Sequence, residues 1–137
     1  MSIYLCFVSV IFALPFVWSF TKVIVPSVYR EWDHGKPFWT SVDLQHKFNY
    51  SVFVYQKLNA SEPNYIDTNR GTEAGVYLRY IVDHYHNFPD VAVFVHAEPE
   101  KHAWNWFNET KCIRPNATYI NINFFGGERV CRSPLTW

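Results

Sequence analysis

The chain has 137 residues, enough for one domain, and its 12 basic side chains balance 12 acidic ones. Without a basic run or a Lys/Arg-rich helix it lacks the electrostatic footprint of a nucleic-acid binder, so no nucleic-acid partner is expected. Aromatic residues make up 20% of the chain, and most of them are expected in a small core that relies on their large buried areas.

Residues 1–20, MSIYLCFVSVIFALPFVWSF, carry no charge and are almost wholly apolar. The run lacks the basic n-region of a secretory signal, yet Val17-Trp18-Ser19 offers a small residue for cleavage. It is also close to the roughly 20 residues that span a bilayer. The segment therefore reads as a signal peptide or a membrane anchor, with a buried core segment as a third reading. Any membrane contact is expected through this leader alone.

Residues 21–137 read as one α/β domain. Lys22–Tyr29 (KVIVPSVY) is a short β-branched strand, weakened by Pro26 or ending near it. Arg30–Lys36 is a polar loop that holds Gly35. A helix is expected from Pro37, near its first position, to about Lys47, with Phe38, Val42 and Leu44 as its apolar side. Ser51–Lys57 is a second strand and Leu58–Thr68 a loop.

Thr72 is the expected N-cap of the next helix, with Glu73 in its first turn. Ala74, Tyr77, Leu78, Ile81, Val82 and Tyr85 recur at helical spacing and predict its buried face. Asn87-Phe88-Pro89-Asp90 stops the helix. Asp90–Ala97 is a third strand, apolar throughout like a strand buried on both faces. Pro99–Phe107 reads as a short helix and Ala117–Phe125 as an alternating fourth strand, followed by a Gly126-Gly127 turn. Strands alternating with helices predict a small three-layer domain with a mostly parallel sheet and right-handed crossovers.

Secretion finds support in four N-x-S/T sequons, at Asn49, Asn59, Asn108 and Asn116. Apart from Cys6 in the leader, the cysteines are an even pair, Cys112 and Cys131. In an oxidising compartment they are expected to bridge, closing a loop of about 20 residues and contributing about 3 kcal/mol. The expected location is the secretory pathway, outside the cell or in the lumen of the endoplasmic reticulum or Golgi.

Two clusters carry the candidate chemistry. Asn69-Arg70-Gly71-Thr72-Glu73 lies at a loop-to-helix junction. Gly71 permits close backbone approach, free N–H groups at a helix start attract anions, and Arg70 supplies a fork for phosphate or carboxylate. The bland alternative is a well-capped helix with a solvated arginine. His96-Ala97-Glu98, with His102 beyond it, lies past the third strand. Two imidazoles and a carboxylate suit a divalent metal, with Glu98 as an oxygen ligand, or a hydrogen-bonding site built on His96. The spacing is not that of H-E-x-x-H, and the bland alternative is a polar strand end with surface histidines. Asp83, His84 and His86 read as a solvated helix face. The chain carries no G-x-S-x-G, P-loop or Rossmann glycine fingerprint.

The string NRGTEAGVYLRYIVDHYHNFPDVAVFVHA resembles the family called domain of unknown function 3431, whose pattern is N-x-G-R-E…YL…I…NY…LPD…F-x-Q/H. The matching residues are Asn69, Gly71, Glu73, Tyr77, Leu78, Ile81, Tyr85, Pro89, Asp90, Phe94 and His96. KVIVPSVYRE and SVFVYQK look like that family's first two strands, so the resemblance spans Lys22–Phe107. Thr72 departs from the pattern where arginine is usual, and Arg70 stands one step before the glycine.

The family in turn looks like nucleotide-sugar-dependent glycosyltransferases with a Rossmann-like, GT-A-type fold. This resemblance implies a nucleotide-sugar donor, a glycan or glycoprotein acceptor, and Mg²⁺ or Mn²⁺ beside a central strand. The place of the usual D-x-D is taken here by His96-Ala97-Glu98, with one carboxylate instead of two. The implied assignment puts Asn69, Arg70, Gly71 and Thr72 on the donor, His96 and Glu98 on the metal, and Glu73, His96 and His102 in catalysis. Such domains are generally longer than this chain. Two rival readings are a secreted non-catalytic glycan-binding or interaction domain and a metal-dependent hydrolase using His96, Glu98 and His102.

Overall fold

The computed structural model describes residues 20–58, 60–67 and 72–113. The expected strand at 117–125, Cys131, and the site residues Asn69, Arg70 and Gly71 lie outside these, as does the leader through residue 19. No helix among the described residues is long and apolar enough to cross a membrane.

Three parallel strands form an open sheet in the order β2-β1-β3, with β1 at Lys22–Ser27, β2 at Ser51–Val52 and β3 at Val91–His96. β1 and β3 pair along their whole lengths, from Lys22 against Val91 to Ser27 against His96. Asp90 ties their starts together. Its carboxylate accepts from the Thr21 backbone N–H at 2.7 Å and from the Thr21 hydroxyl at 2.8 Å. Such pairing from the first residue sets the register of the central ladder.

β2 is much shorter than the expected Ser51–Lys57. Its ladder with β1 ends at Ile24 against Val52 and returns as one bridge, Ser27 against Tyr55. The gap falls opposite Val25 and Pro26. Proline has no N–H to give to a ladder, so a proline in the middle strand interrupts pairing on one edge while β3 stays zipped on the other.

The sheet is covered on both faces. One face presents Ile24, Val91, Val93 and Val95 to Trp39, Tyr50, Trp106 and Phe107. These come from a 3₁₀ turn at Phe38–Thr40, the segment after helix α1 (Val42–Phe48), and helix α3 (Trp106–Lys111). Trp39 and Trp106 meet edge to face, 5.2 Å between ring centroids, and Trp32 meets Trp39 in the same manner at 5.6 Å. The opposite face presents Val25 and Phe94 to helix α2 (Thr72–Asp83), packed through Val76 and Tyr80. Lys22, buried at the amino end of β1, donates to the Thr110 carbonyl in α3 at 2.7 Å.

Three helix readings need correction. The helix expected at Pro99–Phe107 is a 3₁₀ turn at Pro99–Lys101 followed by α3, which starts only at Trp106. The helix expected from Pro37 to Lys47 is split: Ser41 is extended and its hydroxyl accepts the Leu44 N–H at 3.3 Å, so α1 starts at Val42. A serine that satisfies a free N–H makes a start site out of what looked like a helix interior. As a result Trp39 is buried while Phe38 and Val42 face solvent.

The face of α2 is also different. Of the predicted face, Ala74, Leu78, Ile81, Val82 and Tyr85 are exposed and only Tyr77 packs inward, where it joins Val76 and Tyr80. α2 is apolar around most of its surface, so periodicity alone leaves two stripes open. The sheet selects the one that lets Tyr80 and Tyr77 meet Phe53 and Phe94. The expected consequence is that Val76→Ala lowers stability by about 1–3 kcal/mol, whereas Leu78→Ala stays within about 0.5 kcal/mol of the native chain. Chemical denaturation of the two variants checks this, and equal losses would contradict the packing described.

Candidate functional site

Glu73 of the first cluster and His96 and His102 of the second come together at the carboxyl ends of the strands, in part because of strand alternation. In β3, Val91, Val93 and Val95 face the tryptophan core, so Ala92, Phe94 and His96 face α2. His96 is the last residue of β3 and Glu73 the second residue of α2. Their side chains meet, with His96 Nδ1 3.4 Å from Glu73 Oε1, and both remain roughly half exposed. The His102 ring lies beside His96, centroids 4.7 Å apart and tilted by 34°. Glu73, His96 and His102 therefore form one cluster.

The Glu73 carboxyl is held below its usual value, first by its own backbone N–H, then by the Thr72 hydroxyl, with a smaller contribution from His96. It is a carboxylate at neutral pH. A carboxylate on one imidazole nitrogen favours the tautomer with the proton on that side, which leaves the other nitrogen free to accept one.

Glu98 belongs elsewhere. It follows the strand beyond Ala97, and its carboxylate is held by Lys101 at 2.5 Å. It lines a cleft of about 340 Å³ together with Trp32, Phe38 and Lys101, walled by the loop after β1 and the loop after β3. His96 is thus committed to Glu73 and His102, and Glu98 to Lys101. Among the described residues no three His, Cys, Asp or Glu side chains converge as a metal-binding group.

Thr72 opens α2 with a left-handed φ of 48° and lines a second cleft of about 340 Å³ with Lys57, Asp67, Gly75 and Arg79. Arg79 is paired with Asp83 at 2.8 Å, and the same Asp83 oxygen accepts from the Tyr55 hydroxyl at 2.6 Å. Asp83 therefore fastens α2 to the segment after β2 and is structural. The solvated helix face expected for it is occupied by these bonds.

The loop after β1 was not among the expected site residues. The signal was present: the rule that ligands bind beyond the carboxyl ends of strands applies to β1 as well as to β3. A loop that carries Trp32 and Gly35 between two charged stretches fits that rule.

An α/β protein with a parallel sheet covered on both faces, and with polar clusters gathered at the strand carboxyl ends, is the class that these observations define. The chain belongs to the family described as Protein of unknown function (DUF3431), whose model matches residues 23–122. No curated protein and no solved structure matches the chain.

Proposed function

We propose that the chain is a glycosyltransferase-like domain of the secretory pathway that moves a sugar from a nucleotide-sugar donor to a glycan or glycoprotein acceptor. The observation that carries this reading is the contact of His96 with Glu73 at the end of the central parallel ladder. In an inverting transfer, the acceptor hydroxyl gives its proton to the His96 nitrogen turned away from Glu73. Its oxygen then bonds to the anomeric carbon as the bond to the nucleoside diphosphate breaks. Glu73 stabilises the imidazolium so formed, and His102 packs beside it.

Donor phosphates are assigned to the start of α2, which Asn69, Arg70 and Gly71 precede in the chain and Thr72 opens, because free N–H groups at a helix start attract anions. The order β2-β1-β3, with α1 and α2 on opposite faces, supports the Rossmann-like and GT-A-like reading. Asn49 and Asn108 are exposed, Asn49 donating to the Phe20 carbonyl at 2.9 Å and Asn108 to Asn105 Oδ1 at 2.8 Å, and their glycosylation, like a Cys112–Cys131 bridge, would belong to the same secretory reading.

The described residues do not fit a metal held jointly by His96 and Glu98, because each already faces another partner. No step is routed through a metal. A divalent ion bound with the donor would reach Glu98 by displacing Lys101.

The test is thermal unfolding with uridine, guanosine and cytidine diphosphates, each with and without Mn²⁺. A ligand bound by the native state alone at a hundredfold excess over Kd stabilises by roughly 2.7 kcal/mol, which raises the melting temperature by several degrees. Arg70→Ala is expected to remove most of that gain. A flat response to all three diphosphates would overturn the transferase reading.

A further inference from the structure

We propose that the cleft between the loops after β1 and β3 is a binding site for a neutral pyranose sugar, with Trp32 and Phe38 as its aromatic wall. The proposal deepens the transferase reading by placing a sugar subsite on residues that, Glu98 apart, the family resemblance does not single out. It also stands if the chain binds glycans without transferring them.

The position comes from topology. β1 connects to β2 on one side, through α1 on one face. The chain then returns past β1, through α2 on the other face, to reach β3. The loops after β1 and β3 leave adjacent strands and both lead to elements on the face of Trp39 and Trp106, with the cleft between them. Ligands of α/β proteins bind beyond the carboxyl ends of the strands, where this cleft lies. The cleft of about 340 Å³ occupies this place and lies within the range of small-ligand pockets.

The chemistry comes from the walls. Trp32 donates from Nε1 to the Ala97 carbonyl at 3.0 Å, joining the two loops, and its ring is braced by Trp39. Phe38 is 60% exposed, yet its ring is fixed edge to face on Phe107 at 5.6 Å. A rigid aromatic left open to water gains by covering, and loses little conformational freedom when covered. The apolar C–H face of a pyranose is a matching cover.

The polar rim suits hydroxyls. The charge of Glu98 is met by Lys101, and one Glu31 oxygen accepts the N–H groups of Tyr29 and Arg30 at 2.6 and 3.1 Å. Carboxylate oxygens held in this way keep lone pairs for sugar hydroxyls, and the two lysines of the lining, Lys36 and Lys101, offset two of its three carboxylates. Gly35 lets the loop close at φ +138°, a conformation that side chains resist.

The experiment uses the full chain without nucleotide on an immobilised panel of glucose, galactose, mannose and N-acetylglucosamine oligosaccharides. Retention on at least one member is expected, weakened tenfold or more by Phe38→Ala and by Glu98→Gln. Val42→Ser is the control, because Val42 is an exposed apolar residue on α1 that does not line the cleft. It should bind like the native chain. Melting temperatures near native for all three variants show that folding is kept. No retention on any member overturns the proposal. So does binding by Phe38→Ala equal to the native chain, or an equal loss in Val42→Ser, which marks non-specific apolar adsorption. Retention together with a flat nucleotide response upholds this site and overturns the transferase reading alone.

Discussion

Trp39→Ala is expected to destabilise the protein by about 3–5 kcal/mol, a large part of the stability of a domain of this size. Trp39 is fully buried, and both Trp32 and Trp106 pack edge to face against it. The Tyr50 hydroxyl donates to the Trp39 carbonyl at 2.5 Å, so the same residue anchors the segment after α1. Burial pushes the Tyr50 hydroxyl up to about 12, which keeps it a donor throughout the physiological range. Truncation opens a cavity beneath the sheet and removes the brace behind Trp32. Trp39→Phe is expected to cost less, because Trp39 Nε1 is buried without a partner among the described residues and phenylalanine removes that donor. Urea unfolding monitored by circular dichroism checks both. A Trp39→Ala loss below about 1 kcal/mol would show that this face is not the main core.

On the proposed transferase reading, His96→Ala is expected to lower the rate of sugar transfer by about 10²–10⁴-fold, the usual contribution of a positioned general base. Its half-exposed side chain leaves little packing to lose, so the melting temperature should hardly move. Glu73→Gln should lower the rate less, because the amide still touches the ring but no longer stabilises its cation. Release of nucleoside diphosphate from the donor is the measurement, and a His96→Ala enzyme with native turnover would remove the imidazole from the mechanism. The pH dependence has a definite sign. A carboxyl held below its usual 4.5 contributes native-state stability that is present above that value and is lost as pH falls through the folded-state value. Loss of the Glu73 contribution is thus expected only on the acid side of pH 4.5.

Much of the sheet was legible in the chain. VIV after Lys22 and VAVFV are continuously apolar runs rich in β-branched residues, and such runs fit a strand covered on both faces. The end of β3 and the start of α2 were readable to within one residue, from an apolar run expected to stop at Ala97 and from Thr72-Glu73 ahead of a helical period. Hence the sequence singled out Glu73, His96 and His102 without distances.

Tertiary structure alone decided the rest, for reasons local to each place. The length of β2 depends on Pro26 in a neighbouring strand, so nothing within Ser51–Lys57 reveals it. The inward face of α2 was chosen by Phe53 and Phe94 across the layer, since two apolar stripes compete on one helix. Separation of Glu98 from His96 needed the turn after Ala97, which carries the carboxylate to Lys101 and away from the imidazoles. The sugar-sized cleft is built from two loops more than sixty residues apart in the chain, joined by the Trp32–Ala97 hydrogen bond. Local pattern sets which residues can form strands and helices, while contacts across layers set which faces are buried and which side chains meet.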